Sequence, residues 1–128
     1  MREFLIGLQH IGLPTEHLEE TVQFYKILGF TNIYQTRNPA ENTEVVFLSL
    51  GNFIVEVYET DNIKGESGAW EHIAFDVRKI ECLYKKVTKL KIPIISKGIE
   101  ELPFWEKGIR YFIIQGINGE RIEFCEKM

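Results

Sequence analysis

The hydrophobic pattern of the first half changes from the two-residue period of a strand to the period of a helix. Residues 5–13 are predicted to be extended, and Pro14 with Thr15 is expected to end the strand. A helix is predicted over residues 16–28, with Thr15 as its N-cap and Gly29 as its C-terminal cap. The apolar residues that recur at helical spacing are Leu18, Val22, Tyr25 and Leu28.

Three short segments after this helix are predicted to be strands. They are Asn32–Arg37, Glu44–Leu50 and Phe53–Glu59. The last two are separated by Gly51-Asn52, a two-residue sequence that favours a hairpin. The first half is therefore predicted to have the order β-α-β-β-β.

The second half repeats this succession after a polar, glycine-containing linker at residues 60–69. Trp70–Val77 is predicted to be a strand, and Asp76 is a candidate cap for the helix that follows. A short strand is predicted near Ile94–Ser96, followed by a loop over residues 97–108. The apolar stripe of the predicted helix consists of Ile80, Leu83, Tyr84, Val87 and Leu90.

A hairpin is predicted to close the second half. Its strands, Ile109–Gln115 and Glu120–Glu126, flank the turn Gly116-Ile117-Asn118-Gly119. The distance along the chain between matching positions of the two halves is too long for a solenoid repeat. It suits two copies of one small module. The predicted organisation is a single α+β domain, 1–128, made of module one (about 5–59), a linker (about 60–69) and module two (about 70–126).

Each predicted module pairs one histidine with one glutamate. His10 and Glu56 occupy in the first half the positions that His72 and Glu123 occupy in the second. Alternation along a strand places all four side chains on the face opposite the residues that pack against a helix. Two imidazoles and two carboxylates suit Zn, Ni, Co, Mn or Fe(II). If each sheet curves into a cup, the four side chains can converge on one divalent metal ion.

The composition narrows the possible partners. At 128 residues the chain is long enough for one domain with its own core. A net charge of −4 with scattered Lys and Arg argues against nucleic acid, and no apolar run approaches the ~20 residues of a membrane helix. The N-terminal apolar stretch is too short for a signal peptide, so a cytoplasmic location is expected. Cys82 and Cys125 are expected to be free thiols.

Four segments of the sequence, taken together, resemble the vicinal oxygen chelate superfamily. They are Gln9–Leu13, Phe24–Phe30, Glu71–Phe75 and Asn118–Phe124. The superfamily includes glyoxalase I, methylmalonyl-CoA epimerase, fosfomycin-resistance enzymes, extradiol dioxygenases and bleomycin-resistance proteins. The resemblance covers nearly the whole chain. It implies two tandem βαβββ modules whose sheets form a curved, mixed-sheet cup around a metal site.

The resemblance also implies a branch of that superfamily. His10, Glu56, His72 and Glu123 fall on the four metal-ligand positions of glyoxalase I-like proteins. Fosfomycin enzymes and dioxygenases generally lack the carboxylate at Glu56, the epimerase typically has Gln there, and bleomycin-binding relatives have lost the metal set. The full set therefore implies a glyoxalase I-like, or lactoylglutathione lyase-like, protein.

Two departures from the glyoxalase I pattern concern the substrate. Pro14 stands where bacterial glyoxalase I usually has an arginine that helps to hold glutathione. Thr60 stands where an asparagine is common. The resemblance therefore carries over the metal chemistry but not the recognition of glutathione.

The reaction implied is proton transfer beside a carbonyl group, through a metal-bound enediolate. The expected substrate is a small 2-oxo or 2-hydroxy compound or its thiol adduct, and the enzyme would be a lyase or isomerase. Glu123 is the favoured base and Glu56 the other candidate. Arg121, which shares the face of Glu123, and the loop residues Phe104 and Trp105 are candidate substrate contacts. A homodimer is expected from the resemblance.

Three other functions of the same fold stay open from the sequence. The first is a protein that binds an antibiotic or other small molecule, or confers resistance to it, and the others are an epimerase and an extradiol dioxygenase. The metal set argues against a pure binding protein. The carboxylate at Glu56 and the short chain argue against the dioxygenase.

Overall fold

Each half of the chain forms one helix and one four-stranded mixed sheet. The computed structural model describes residues 1–4 and 6–128 and divides into unit one, residues 1–63, and unit two, residues 64–128. The predicted α+β class and the order of elements in two tandem βαβββ modules are confirmed. Within the described residues, neither helix has the length and apolar character that crossing a bilayer requires.

In unit one the first strand lies parallel to the last, and the remaining neighbours are antiparallel. The strand order in the sheet is β1-β4-β3-β2. The elements are β1 Ile11–Thr15, α1 Leu18–Ile27, β2 Thr31–Asn38, β3 Thr43–Leu50 and β4 Phe53–Glu59.

Unit two repeats this topology strand for strand. The order in its sheet is β5-β8-β7-β6, and β5 is parallel to β8 as β1 is to β4. The elements are β5 Ile73–Asp76, α2 Ile80–Lys89, β6 Glu100–Leu102, β7 Ile109–Gln115 and β8 Arg121–Lys127.

The register of each sheet separates a helix-packed face from an open face. In unit one Val46 lies opposite Val57, and both side chains are buried in the core. The next residue pair along the hairpin, Phe47 opposite Glu56, projects to the other side because alternate residues change face. The buried side chains that form the cores of the two units include Leu18, Val22, Tyr25, Leu48 and Val55, and Ile80, Val87, Phe112, Ile114, Ile122 and Phe124.

The first strand of each unit begins later than the sequence pattern predicts. β1 begins at Ile11 and continues through Pro14, and β5 begins at Ile73 rather than at residue 70. A proline, which has no N–H to donate, is tolerated in β1 because this strand lies at the edge of its sheet. Leu5, the first residue of the predicted strand, lies outside the described residues.

The predicted strand near Ile94–Ser96 is wrong, and a strand lies instead inside the predicted loop. Ile94 forms only an isolated bridge with Ile114. The fourth strand of the sheet, Glu100–Leu102, pairs with β7. Its sequence does not predict it, because three residues containing two glutamates carry little β-propensity.

Both predicted helix N-caps are wrong. Thr15 lies before the N-cap position of α1, which His17 occupies; its buried hydroxyl accepts a hydrogen bond from the His17 N–H at 2.8 Å. Asp76 does not cap α2, whose N-cap is Lys79. The carboxylate of Glu126, at the end of the last strand, accepts the N–H groups of Lys79 and Ile80 at 2.6 and 3.3 Å.

Both helices end in the same hydrogen-bonded turn, but with different residues in the left-handed conformation. After α1 this residue is Gly29, with a φ of 106°, and Phe30 N–H donates back to the Tyr25 carbonyl. After α2 it is Lys91, with a φ of 59°, and Ile92 N–H donates back to the Val87 carbonyl. The predicted role of Gly29 agrees with this geometry.

We expect Lys91→Gly to stabilise the protein by about 1 kcal/mol, because glycine adopts the left-handed conformation without the cost of a β-carbon. Gly29→Ala should cost about 1–2 kcal/mol for the same reason. Urea unfolding followed by circular dichroism measures both changes. Lys89→Gly is the matched control: this residue is inside the helix, where glycine should destabilise by about 1 kcal/mol. A Lys91→Gly variant as unstable as Lys89→Gly would contradict the prediction.

Candidate functional site

The first histidine–glutamate pair lies on the open face of the sheet in unit one. His10 directly precedes β1, and Glu56 lies in the middle of β4, where it is the partner of Gly12. The parallel pairing of these strands brings the two side chains together. His10 Nε2 is 2.8 Å from Glu56 Oε2.

The second pair has the same placement in unit two. His72 directly precedes β5, and Glu123 in β8 is the partner of Ala74. His72 Nε2 is 3.6 Å from Glu123 Oε2. The repeated topology therefore builds the same imidazole–carboxylate pair twice, each time from the start of one strand and the middle of its parallel neighbour.

In both pairs the other ring nitrogen contacts the residue that precedes the histidine. His10 Nδ1 is 2.9 Å from the Gln9 amide oxygen, and His72 Nδ1 is 2.5 Å from a Glu71 carboxylate oxygen. These oxygens only accept hydrogen bonds, so a neutral ring that carries its proton on Nδ1 donates to them. In that form of the ring, the lone pair of Nε2 is directed toward the glutamate of the same module.

This donor geometry suits a bound cation. A lone pair on Nε2 and a carboxylate oxygen repel each other unless a proton or a metal ion lies beside them. Two ligand atoms that are each about 2.1 Å from one ion lie roughly 3.0–3.4 Å apart at octahedral or tetrahedral angles. The observed separations of 2.8 and 3.6 Å each lie within about 0.2 Å of this range. With the donor chemistry of an imidazole and a carboxylate, each pair therefore suits a divalent metal ion.

Each module by itself supplies two such donors. Among the residues that the structure describes, no group of three or more His, Cys, Asp or Glu side chains is gathered closely enough to hold a metal ion. The four-ligand set of His10, Glu56, His72 and Glu123 stays a prediction.

Aromatic side chains line the open face beside the first pair. The Phe47 ring contacts the His10 imidazole edge to face, with centroids 5.7 Å apart, and Tyr34 lies 6.0 Å from Phe47. Neither residue is among the candidates that the sequence predicts. The hairpin register could have identified Phe47, because it lies directly opposite Glu56.

The predicted substrate contact Arg121 is engaged within unit two. Its Nε lies 2.5 Å from Glu71 Oε1, while the other oxygen of this carboxylate contacts His72. The Nε–H direction does not meet hydrogen-bond geometry, so the contact is an ion pair rather than an aligned hydrogen bond. Arg121 is thus connected to His72 through Glu71.

The other predicted contacts, Phe104 and Trp105, lie in the exposed loop between β6 and β7. The Trp105 ring is covered by the ammonium group of Lys127, 4.2 Å from the ring centroid. Lys127 is four residues beyond Glu123, roughly 13 Å along the strand. The loop is therefore anchored near the end of β8 and not beside Glu123.

Cys125 shares the open face with Glu123 but is a poor nucleophile. Burial raises the pKa of its thiol, and the negative charges of Glu123 and Asp76 raise it further. The thiolate is therefore disfavoured at neutral pH. This agrees with the absence of a Cys-centred motif in the sequence.

One cavity of unit one is lined by residues other than the histidine–glutamate pair. Its volume is about 570 Å³, and its lining does not include His10 or Glu56. The residues that line it are Thr15, Glu16, Glu41, Thr43, Glu59, Thr60 and Asp61. Four carboxylates without a basic residue make this cavity unsuitable for an anionic substrate.

A second ionic cluster joins the N-terminus of α2 to the last strand. Arg110 pairs with Glu81 and with Glu126, the latter at 2.8 Å. Burial alone would raise the pKa of Glu126, but the N–H groups of Lys79 and Ile80 and the Arg110 guanidinium outweigh it and lower the pKa. The cluster lies on the helix side of the sheet, since Arg110 is the partner of Glu126 in the register that places Phe112 opposite Phe124. Its role is structural.

Comparisons with known proteins agree with this fold. The model of the Glyoxalase/Bleomycin resistance protein/Dioxygenase superfamily matches residues 7–124. The uncharacterized protein YwbC of Bacillus subtilis (strain 168) is 29% identical over 127 residues, which cover 94% of this chain and 97% of that protein.

Two solved structures are similar over nearly their whole length. A glyoxalase family protein from Enterococcus faecalis superposes with a TM-score of 0.79 at 22% identity, covering 96% of this chain and 99% of that one. The fosfomycin resistance protein FosX of Listeria monocytogenes, complexed with Mn(II) and sulfate, superposes with a TM-score of 0.74 at 17% identity, covering 97% and 94%. At these identities the likeness concerns the fold.

Proposed function

Because the chain belongs to the Glyoxalase/Bleomycin resistance protein/Dioxygenase superfamily, we propose that it is a divalent-metal-dependent lyase or isomerase of glyoxalase I type. The observation that carries the proposal is the repeated pair in which a histidine Nε2 faces a glutamate carboxylate, at 2.8 Å in unit one and 3.6 Å in unit two. Neither a surface ion pair nor a core histidine explains why both modules contain it.

His10, Glu56, His72 and Glu123 would hold the metal ion, which we expect to be Zn, Ni, Co, Mn or Fe(II). The crystal structure of FosX with Mn(II) supports a divalent metal in a protein of this fold. When bound, the ion would supply the positive charge that draws in two neighbouring substrate oxygens and lowers the energy of the charge that develops on them.

Glu123 is the residue we assign as the base. Its carboxylate lies 3.6 Å from His72 Nε2, whereas the carboxylate of Glu56 lies only 2.8 Å from His10 Nε2. The Glu123 side chain is also the less exposed, at 15% against 26% for Glu56. A sheltered carboxylate that lies farther from its imidazole is better placed to accept a proton from one substrate carbon and return it to the next.

The substrate we expect is a small 2-oxo or 2-hydroxy compound or its thiol adduct. Phe47 and Tyr34 offer an apolar surface beside His10 for a short carbon chain. Pro14 and Thr60, in place of the residues common in glyoxalase I, leave glutathione without its usual contacts. We therefore propose the type of reaction without assigning glutathione as the thiol. By the same resemblance we expect a homodimer.

The experiment that tests this proposal combines metal analysis with an activity panel. Protein loaded separately with Mn, Ni, Zn, Co and Fe(II) is assayed with methylglyoxal plus glutathione, methylglyoxal plus other thiols, fosfomycin and acyl-CoA epimers. We expect one metal ion per chain by elemental analysis and metal-dependent turnover of a carbonyl substrate.

Histidine variants supply the controls. His72→Ala should lose the metal and the activity, whereas His17→Ala should keep both, because His17 lies at the N-cap of α1 and outside the two pairs. A protein that binds no divalent metal under any loading condition would overturn the proposal.

The second candidate is an enzyme or binding protein that confers resistance to an antibiotic such as fosfomycin. The likeness to FosX favours it, since that protein covers nearly the whole chain. Metal-dependent consumption of fosfomycin in the panel, without turnover of methylglyoxal, would establish this candidate. Binding of an antibiotic without any metal requirement would instead indicate a pure binding protein.

A further inference from the structure

We infer that the residue preceding each site histidine determines which ring nitrogen carries the proton and which has the lone pair. For His72 this residue is Glu71, whose carboxylate also pairs with Arg121. The inference rests on the proposed function insofar as it concerns a metal ion. Glu71, Arg121 and Gln9 are then positioning residues, because they act through the imidazoles rather than on a substrate.

The carboxylate of Glu71 contacts both His72 and Arg121. One carboxylate oxygen lies 2.5 Å from His72 Nδ1, and the other lies 2.5 Å from Arg121 Nε. His72 Nε2, on the opposite side of the ring, faces Glu123. The carboxylate of Glu71 therefore orients the His72 ring through Nδ1, and the Arg121 guanidinium balances the charge of that carboxylate.

Gln9 has the same position relative to His10 but differs in charge. Its amide oxygen accepts from His10 Nδ1 at 2.9 Å, without a second contact comparable to the Arg121 ion pair among those that the structure describes. A carboxylate acceptor makes an imidazole a stronger electron donor than an amide does. The two histidines are thus held alike but would donate unequally, and His72 would be the stronger ligand.

The local backbone permits this contact between neighbouring residues. In a pleated strand, residues next to each other point to opposite faces. Residues 9, 10, 71 and 72 precede the strands and lie outside the ladders, so their side chains are not forced apart. A histidine just before each of these parallel strands can therefore contact the side chain of the residue that precedes it.

Two variants separate the hydrogen bond from the charge. Glu71→Gln keeps an acceptor for His72 Nδ1 but removes the negative charge, and Glu71→Ala removes both. Glu71 is 54% exposed, so both variants should fold. Glu101→Gln is the matched control, because it makes the same change of charge at an exposed position of β6 in the same unit.

The first measurement uses metal-free protein. Nitrogen-15 NMR of the three histidine rings, at about pH 9 where histidine is ordinarily neutral, reports which nitrogen carries the proton. We expect His72 to carry it on Nδ1 in the natural protein, in Glu71→Gln and in Glu101→Gln, and to become a mixture of the two forms in Glu71→Ala. A His72 protonated on Nε2 in the natural protein, or unchanged in Glu71→Ala, would overturn the inference.

The second measurement is the affinity for Mn(II) and Zn(II), by competition with a chelator. We expect a 10–100-fold loss in Glu71→Ala, a smaller loss in Glu71→Gln and none in Glu101→Gln. Equal affinities of Glu71→Ala and Glu101→Gln would overturn the assignment of Glu71. If the natural protein binds neither metal, the proposed function fails, whereas the ring measurement still decides whether Glu71 sets the proton on His72.

Discussion

Glu123→Gln, in protein that retains its metal, is expected to lower kcat at least about 100-fold, the usual contribution of a general base. Glutamine keeps the size of the side chain and an oxygen that can still contact a metal ion, but its amide cannot accept a proton at neutral pH. The loss should fall on kcat, because the base acts in the transition state and contributes little to substrate binding. The measurement is steady-state kinetics on the substrate found in the activity panel, with metal content determined on the same samples.

Glu56→Gln is the matched comparison, since it changes the corresponding residue of the other module. We expect a smaller loss of kcat, because Glu56 is proposed to hold the metal ion without accepting the proton. Glu101→Gln, on the exposed edge strand β6, should leave kcat unchanged. Full turnover by Glu123→Gln with its metal retained would refute the base assignment. A larger loss in Glu56→Gln would transfer that role to Glu56.

The sequence predicts which face of the sheet a side chain occupies where the hydrophobic pattern is periodic. Alternation in Phe53–Glu59 separates Val55 and Val57, which are buried against the helix, from Glu56 on the open face. The same alternation in β8 separates Ile122 and Phe124 from Glu123. Because the chain repeats the pattern, the pairing found in one half can be expected in the other. Periodicity and repetition together are therefore sufficient to identify both histidine–glutamate pairs from the amino-acid sequence.

The sequence fails where a contact joins residues far apart in the chain. Glu126 caps α2 from a position 47 residues after Lys79, so the local candidate Asp76 is the wrong choice of cap. Alternation places Arg121 on the face of Glu123 but cannot identify its partner Glu71, which lies just before a parallel strand. Such contacts depend on how the parallel strand is placed in the sheet, which hydrophobic periodicity does not encode.

Phe112→Ala is expected to destabilise the protein by roughly 3–5 kcal/mol, a large part of the roughly 5–15 kcal/mol by which a typical domain is stable. The side chain is fully buried, and its ring contacts those of Tyr84 and Phe124 at centroid distances of 5.1 and 5.2 Å. Removing it leaves a cavity between α2 and β8, the strand that carries Glu123. Thermal and urea unfolding measure the loss of stability.

Phe104→Ala removes the same side chain from the exposed loop and should change the stability by no more than about 0.5 kcal/mol. Hydrogen exchange followed by mass spectrometry locates the effect of Phe112→Ala, which should reduce protection within residues 64–128. If Phe112→Ala were as stable as Phe104→Ala, Phe112 could not be the centre of the core of unit two. That result would mean that the rings on both sides of Phe112 close the cavity at no cost in stability. The sheet that carries Glu123 would then be stabilised by other contacts.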